Sequence, residues 1–239
     1  MKRILSLMMT FSLALSLAAC GGTDNETQTP PTAPPPSVPE SSAPAAPSAD
    51  PSGDPTAEPS ASGDSNILVA YFSLAGEQYE VGVIEKGNTE IVAEMIAEAI
   101  GADLFSIQPV TPYPTTYDGL LEVSQQESPE APPAIAETVA DMEQYDTVFI
   151  GYPIWWGDIP AIVAGFLESY DFSGKTVIPF ATHAGSGMGQ TQGTVESLAT
   201  GADVLDGLAI RGQTAQNDPD TAKEDVTAWL EELGLLPQA

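Results

Sequence analysis

The segment 148–157, Val-Phe-Ile-Gly-Tyr-Pro-Ile-Trp-Trp-Gly, decides how this chain is interpreted. It begins as an apolar run typical of a buried strand, and after Gly151 it ends in an aromatic cluster bounded by Pro and Gly. Aromatic side chains normally pack in the core, where each buries roughly 150–250 Å². Exposing them at the end of a strand is unfavourable unless a flat ligand covers them. Because adjacent side chains diverge, we expect one of Trp155 and Trp156 to pack inward while the other faces a cleft.

Strand-like and helix-like segments alternate on both sides of this stretch. Runs rich in apolar residues predict strands at Asn66–Phe72, Asp103–Ile107, Thr147–Gly151, Thr176–Thr182 and Val204–Ile210. Apolar residues at helical spacing predict helices at Thr89–Ile100, Ile135–Met142, Ile159–Ser169, Thr191–Ala199 and Pro219–Leu233. We expect the last helix to be capped by Asp218 and to stop at Gly234. Strands separated by helices predict an α/β domain, residues 65–239, with a parallel sheet covered by helices on both faces.

The charge of this domain is strongly negative, with 27 acidic residues against four Lys and Arg. Nucleic-acid binding needs basic patches, so the composition argues against a nucleic-acid partner. The acidic surface is compatible with simple solubility and with attraction of a basic partner. The sequence leaves both interpretations open.

Residues 1–20 have the layout of a secretory signal. A basic start at Lys2 and Arg3 precedes an apolar run over 4–17, which is short for a membrane span of about 20 residues. The final residues, Leu17-Ala18-Ala19-Cys20, resemble the lipobox of bacterial lipoproteins, in which the cysteine is acylated. The resemblance implies an extracytoplasmic protein lipidated at Cys20 and anchored to the cell membrane. The alternative is an ordinary signal peptide with a chance cysteine.

Residues 21–64 differ in composition from the rest of the chain. They contain eleven of the 22 prolines, seven acids and no base. Such a segment buries too little apolar surface to offset the entropy of ordering it. The sequence therefore predicts a disordered tether, with a reach of roughly 35 Å as a flexible coil.

Three unusual loops follow predicted strands, and ligands of parallel α/β sheets bind outside the carboxyl ends of the strands. Ser73 follows the first strand, and Gly87-Asn88-Thr89 opens the first long helix, where backbone N–H groups favour an anion. The aromatic loop follows the third strand. A glycine-rich loop over 182–189 follows the fourth and lets backbone approach a ligand closely. Together these loops predict a site for a phosphorylated planar cofactor.

At these residues the chain resembles the flavodoxin family, particularly its NAD(P)H-oxidoreductase relatives. The resemblance covers essentially all of 66–239 and is clearest in Ile67–Ser73, Gly87–Glu94, Phe149–Gly157 and Gly174–Gly187. It implies a doubly wound five-stranded sheet of order 2-1-3-4-5 that binds FMN.

The resemblance also implies which residues hold the cofactor. The FMN phosphate would be held by Ser73, Gly87, Asn88 and Thr89. The isoalloxazine ring would be flanked by Pro153, Ile154, Trp155 and Trp156. Hydrogen bonds to its polar edge would come from His183, Gly185 and Ser186. The Ser/Thr-Gly-Ala-Thr pattern of covalently flavinylated extracytoplasmic proteins is missing, since 200–203 reads Thr-Gly-Ala-Asp, and we expect FMN to be non-covalent.

One departure from the family pattern is the insertion Glu77–Lys86, between Ser73 and Gly87. Either it folds away and Ser73 still meets Asn88, or Ser73 is displaced and the phosphate site is rebuilt. We expect the first, because long loops are tolerated well. The insertion is a candidate lid or partner surface. Tyr113 and Tyr117, in a Pro-rich stretch, are candidates for a rim of the same pocket.

Taken with these two resemblances, the sequence predicts an anchored flavoprotein that moves electrons at the outer face of the membrane, to a redox partner protein or a small-molecule acceptor. Two alternatives stay open, an NAD(P)H-dependent quinone or azo reductase and a flavodoxin-like binding module without redox activity. With one His and one Cys, the sequence offers neither a zinc site nor a Cys–His nucleophile. It contains no Gly-x-Ser-x-Gly elbow. No residue is assigned a catalytic role.

Overall fold

The computed structural model of the chain describes residues 66–236. The predicted signal segment 1–20 with Cys20 and the predicted linker 21–64 lie outside the described residues. No helix within 66–236 has the length and apolar character needed to cross a membrane.

The described residues form strands and helices in alternation. The strands are β1 (Ile67–Tyr71), β2 (Gly76–Gln78), β3 (Gly82–Ile84), β4 (Asp103–Ser106), β5 (Thr147–Pro153), β6 (Thr176–His183), β7 (Asp203–Val204) and β8 (Leu208–Arg211). The helices are α1 (Asn88–Ile100), α2 (Tyr117–Gln126), α3 (Ala161–Glu168), α4 (Thr191–Leu198), α5 (Gly212–Asn217) and α6 (Pro219–Glu232). A short 3₁₀ turn over Met142–Gln144 precedes β5.

The central sheet is parallel and runs in the order β4-β1-β5-β6, after which β7 and β8 both pair with β6. The predicted order 2-1-3-4-5 is confirmed, with the fifth strand broken into β7 and β8. Leu205 donates its N–H to the Val177 carbonyl at 3.0 Å, so odd-numbered residues of β6 face the fifth strand. Pro179 is one of them and has no N–H to donate. The ladder is interrupted there.

The sheet is buried on both faces because residues alternate along each strand. Leu68, Ala70 and Phe72 lie in one core cluster with the apolar residues of α3. Val69 lies in the other cluster, with apolar residues of α1 and α6. In that second cluster the Trp229 ring of α6 meets the Phe149 ring edge-on, with centroids 5.6 Å apart.

Most predicted helices are confirmed within two residues of their ends, and α6 begins after Asp218 as expected. The Asp218 side chain makes no hydrogen bond to the α6 backbone; its Oδ2 accepts from the Thr221 hydroxyl at 2.9 Å. The predicted helix over 135–142 is wrong. Ile135 forms an isolated antiparallel bridge with Pro109, and Val139 donates its N–H to the Tyr170 hydroxyl at 2.7 Å. These long-range hydrogen bonds hold the segment extended.

Candidate functional site at the carboxyl edge of the sheet

A cleft of about 250 Å³ lies beyond the carboxyl ends of β5 and β6. It is bounded by the first turn of α1, by α2 and by the start of α5, together with the turn between β2 and β3. The residues that line it are Gln78, Tyr79, Glu80, Asn88, Tyr117, Leu120, Leu121, Ser124, Pro153, Ile154, Trp155, Trp156, Thr182, His183, Ala184, Gly212 and Gln213. Its position is the one expected for a ligand site in a parallel α/β sheet.

Ser73 meets the start of α1 in spite of the insertion that separates them in sequence. Its Oγ accepts a hydrogen bond from the Glu90 N–H at 3.0 Å. Gly87 is the cap residue of α1, and a Cβ there would collide with Ser73 Oγ and the Leu74 backbone. The insertion therefore loops out as the β2–β3 hairpin, and the close approach of Ser73 requires a glycine at position 87.

Asn88 is the first residue of α1 and points into the cleft. Its Oδ1 is buried and has no hydrogen-bond partner in the structure. Gly212 packs so tightly against this side chain that a Cβ there would lie 2.5 Å from Asn88 Nδ2. Buried polar atoms are nearly always paired, so this unpaired oxygen, at the start of a helix, indicates a polar ligand in the cleft.

The aromatic loop forms a two-residue turn that separates the two tryptophans. Trp155 and Asp158 exchange two backbone hydrogen bonds of 2.9 Å each. Between them, Trp156 has φ +53° and Gly157 has φ +85°, the signs that a type I′ turn requires. A bulky residue in this left-handed region is a rare conformation. The turn therefore holds Trp156 in a backbone conformation that bulky residues rarely adopt.

The two tryptophans point in different directions. The Trp155 ring meets Phe72 and Tyr113 edge-on, with centroids 5.6 and 5.4 Å apart. Trp156 is 63% exposed, and its Nε1 donates to Ser124 Oγ at 3.2 Å. Trp155 is therefore the inner residue of the pair, and Trp156 forms the outer wall of the cleft.

His183 ends β6 and lines the cleft as a neutral imidazole. Its Nδ1 accepts the Gly185 N–H at 2.8 Å. A nitrogen that accepts carries no proton, so in the neutral ring the proton is on Nε2, which can donate. Burial and, second, the charge of Arg211 lower the pKa of His183 below its usual 6.5.

Glu127 is a half-buried acid beside Tyr113. The Glu127 carboxylate oxygens are shielded from solvent and burial raises its pKa, although the Tyr113 hydroxyl and the Ala161 N–H oppose that shift. The same burial, with Glu127 nearby, raises the pKa of Tyr113. Tyr113 thus packs against the Trp155 ring and does not line the cleft, whereas Tyr117 does.

The structure brings six of the predicted site residues to the wall of one cleft: Asn88, Pro153, Ile154, Trp155, Trp156 and His183. Gly87 caps the start of α1, and Ser73 accepts a hydrogen bond from its first turn. The Thr89 hydroxyl is buried and hydrogen-bonded to the Thr182 hydroxyl. Gly185, with φ +133°, and Ser186 lie in the exposed loop beyond His183 and do not line the cleft.

The insertion was a candidate lid and Tyr117 a candidate rim, and residues of both line the cleft. Sequence reasoning missed the other residues of α2 and the wall formed by α5. Tyr79 of the hairpin stacks on Tyr117 of α2, with centroids 5.8 Å apart and an interplanar angle of 29°. The aromatic residue in the insertion was the available signal. Gly212 and Gln213 gave no local signal, because only the fold brings them opposite Asn88.

The family of the chain follows from comparison with known proteins. The flavodoxin family model matches residues 66–233. The chain belongs to the flavodoxin family. No curated protein matches the chain significantly.

Solved structures of flavodoxin-like proteins resemble this one. A structure described as that of a flavoprotein from Bacteroides eggerthii is 32% identical, with TM-score 0.56, over 70% of this chain and 97% of that chain. One from Bacteroides uniformis is 29% identical, with TM-score 0.53, over 69% and 97%. A flavoprotein from Lactobacillus acidophilus, solved in complex with FMN, is 22% identical, with TM-score 0.47, over 62% and 93%.

Proposed function

We propose that this flavodoxin-family domain binds FMN non-covalently in the cleft and uses it for electron transfer. The observation that carries the proposal is the unpaired Oδ1 of Asn88 at the start of α1, a residue that lines the same cleft as Trp156. A phosphate site beside an aromatic wall suits a ligand that is anionic at one end and flat at the other.

The start of α1 fits the phosphate of FMN. A helix start presents N–H groups and a positive dipole end to an anion. The Asn88 amide can rotate to present its Nδ2 as a donor, while Ser73 and Gly87 hold the first turn in place. These groups would bind a phosphate without a cationic side chain.

The opposite part of the cleft fits the flavin ring. Trp156 offers an exposed aromatic face, and the His183 Nε2–H can donate to a ring heteroatom. When bound, FMN supplies reversible uptake and release of electrons, and the protein orients the ring, limits water access and tunes its potential. Negative charge nearby disfavours an anionic reduced ring, so the acidic domain favours a low potential.

The proposed place of action is the outer face of a bacterial membrane. It is supported by the lipobox-like residues 17–20 and by the proline-rich segment 21–64, which would lift the domain away from the lipid. A redox partner protein or a small-molecule acceptor would receive the electrons. The acidic surface suits a partner with a basic docking face.

The decisive experiment is reconstitution of the purified chain with FMN, followed by its visible spectrum and a redox titration. We expect stoichiometric binding, a flavin spectrum shifted from that of free FMN, and reversible reduction. A protein that stays colourless with FMN would overturn the proposal in favour of a binding module without redox activity. Rapid turnover of NAD(P)H by the loaded protein would replace the carrier role with that of a reductase.

The proposed anchor has its own test, which is labelling of cells with a fatty-acid analogue. Wild-type chain should carry the label and fractionate with membranes, and Cys20→Ala should lose the label. An unlabelled wild-type chain would overturn lipidation without affecting flavin binding.

A further inference from the structure

The insertion Glu77–Lys86 forms a hairpin at the edge of the cleft. Its strands β2 and β3 pair antiparallel, with Gly76 opposite Ile84 and Gln78 opposite Gly82. The turn residues Tyr79 and Glu80 and the adjacent Gln78 line the cleft. The insertion lies between Ser73 and Gly87, which are in contact at the start of α1. The base of the hairpin is therefore next to the proposed phosphate site.

The N-terminal end of the hairpin, Gly76 and Glu77, is attached to the start of α2. The Glu77 N–H donates to the Thr115 carbonyl at 2.7 Å, and Glu77 Oε2 accepts the Tyr117 N–H at 3.0 Å. Gly76 has φ +99°, and a Cβ there would lie 2.5 Å from the Thr115 carbonyl oxygen. This contact therefore requires glycine.

The C-terminal end of the insertion, at Lys86, is attached to α5. Gln216 Nε2 donates to the Lys86 carbonyl at 2.7 Å. Since α2 and the start of α5 both line the cleft, the hairpin is attached to two separate parts of its wall.

The tip of the hairpin is held more weakly. Glu80, at φ +64°, places its Oε2 3.9 Å from Arg211 Nη1 at the end of β8. Both side chains are partly exposed, and exposed ion pairs contribute little free energy. Tyr79 is 59% exposed although its ring stacks on Tyr117. A two-stranded hairpin is marginally stable on its own. Because both ends of this hairpin are hydrogen-bonded and its tip is held by one exposed ion pair, the tip can open while the ends stay attached.

We propose that residues 76–84 form a strap over the flavin, in which Tyr79 covers the bound ring and the Glu80–Arg211 pair holds the tip closed. The strap rests on the proposed function, because FMN is its occupant. FMN enters and leaves when the tip opens, and Tyr79 is a cofactor-contacting residue supplied by the insertion. The large exposed aromatic surface of Tyr79 becomes buried when the ring is bound.

The test is the rate of FMN release from the full loaded chain, followed by flavin fluorescence after dilution in a stopped-flow instrument. Tyr79→Ala should release FMN about fivefold to tenfold faster than wild type, the size of one aromatic contact. Glu80→Gln and Arg211→Gln should each accelerate release about twofold to fivefold. The double variant should be no faster than the faster single variant, since both changes break the same pair.

Two controls separate the strap from general effects. Val83→Ala changes a side chain of the same hairpin that is 81% exposed and does not line the cleft. Lys223→Gln breaks the ion pair with Glu98 on α6 and α1. Both should release FMN at the wild-type rate. High salt should bring wild type to the rate of Glu80→Gln without changing that variant.

The outcomes distinguish the strap from the proposed function. If wild-type chain fails to bind FMN, the proposed function falls and the strap with it. If wild type binds FMN but Tyr79→Ala and Glu80→Gln release it at the wild-type rate, the strap alone is overturned. Slower amide hydrogen exchange over 76–84 in the loaded chain, by comparison with the FMN-free chain, is the expected second readout.

Discussion

Thr89 and Thr182 share a buried hydrogen bond, with 2.8 Å between their hydroxyl oxygens. The bond joins the first turn of α1 to the carboxyl end of β6, two elements 93 residues apart in sequence. Thr89 is 1% exposed and Thr182 3%. The pair fixes the helix start relative to the strand that carries His183, and residues of both elements line the cleft.

Removing one partner of this pair should destabilise the fold more than removing both. Thr182→Val leaves a buried hydroxyl on Thr89 and should lower the free energy of unfolding by about 1–3 kcal/mol. The double variant Thr89→Val/Thr182→Val should recover most of that loss, because no unpaired hydroxyl remains. Urea denaturation of the two single variants and the double variant measures the coupling. Additive losses would show that the two hydroxyls act independently.

Asn88 should control binding of the phosphate and not of the ring. Asn88→Asp nearly preserves the shape of the side chain but adds a negative charge, so affinity for FMN should fall about tenfold or more. Affinity for riboflavin, which lacks the phosphate, should change by less than about twofold. Fluorescence titration with both flavins gives the comparison. Gln144→Glu, an added charge just before β5 at the opposite edge of the sheet, is the control and should leave both affinities unchanged.

The two tryptophans should separate stability from flavin binding. Trp155→Ala removes the ring that packs on Phe72 and Tyr113 and should lower the free energy of unfolding by about 3 kcal/mol. Trp156→Ala removes an exposed ring and should change stability by less than about 1 kcal/mol, while weakening FMN binding about fivefold to tenfold. Thermal melts of the FMN-free chain and flavin titration test both. A large loss of stability in Trp156→Ala would contradict the assignment of this residue to the cleft wall.

His183 should make stability fall with acid at mildly acidic pH. Its folded pKa lies below the usual 6.5, so the folded chain binds this proton more weakly than the unfolded chain. The stabilisation is complete above about pH 6.5 and is lost as pH falls from there to the lowered folded pKa. His183→Asn keeps an acceptor for the Gly185 N–H but cannot titrate.

The measurement for His183 is the free energy of unfolding between pH 5 and 8, for wild type and His183→Asn. The sequence contains one histidine, which is the side-chain type that ordinarily titrates in this range. Wild type should therefore lose stability relative to His183→Asn as pH falls below about 6.5. Parallel curves for the two proteins would contradict a lowered pKa at this position.

Local sequence predicted much of the sheet and part of the site. Apolar strands, helical spacing and loop composition act over a few residues, so β1, β5, β6 and α1 were predicted nearly in full. The same signals placed Asn88, Trp156 and His183 at one sheet edge, because parallel strands bring their carboxyl ends together. Periodicity failed at 135–142, where Ile135 and Val139 have helical spacing, but Ile135 lies in a bridge opposite Pro109 and Val139 donates to the Tyr170 hydroxyl.

The sequence by itself determined a parallel α/β domain with three candidate ligand-binding loops at one edge of the sheet. Apolar runs, helical spacing and loop composition are local signals, and they were sufficient for this. Only the tertiary structure decided which tryptophan packs inward, where the insertion goes, and that Gly212 and Tyr117 complete the cleft. Those outcomes depend on contacts between distant segments, such as Glu77 with Tyr117 and Gln216 with Lys86. No local pattern encodes such contacts, because each is settled by the packing of the whole sheet and its helices.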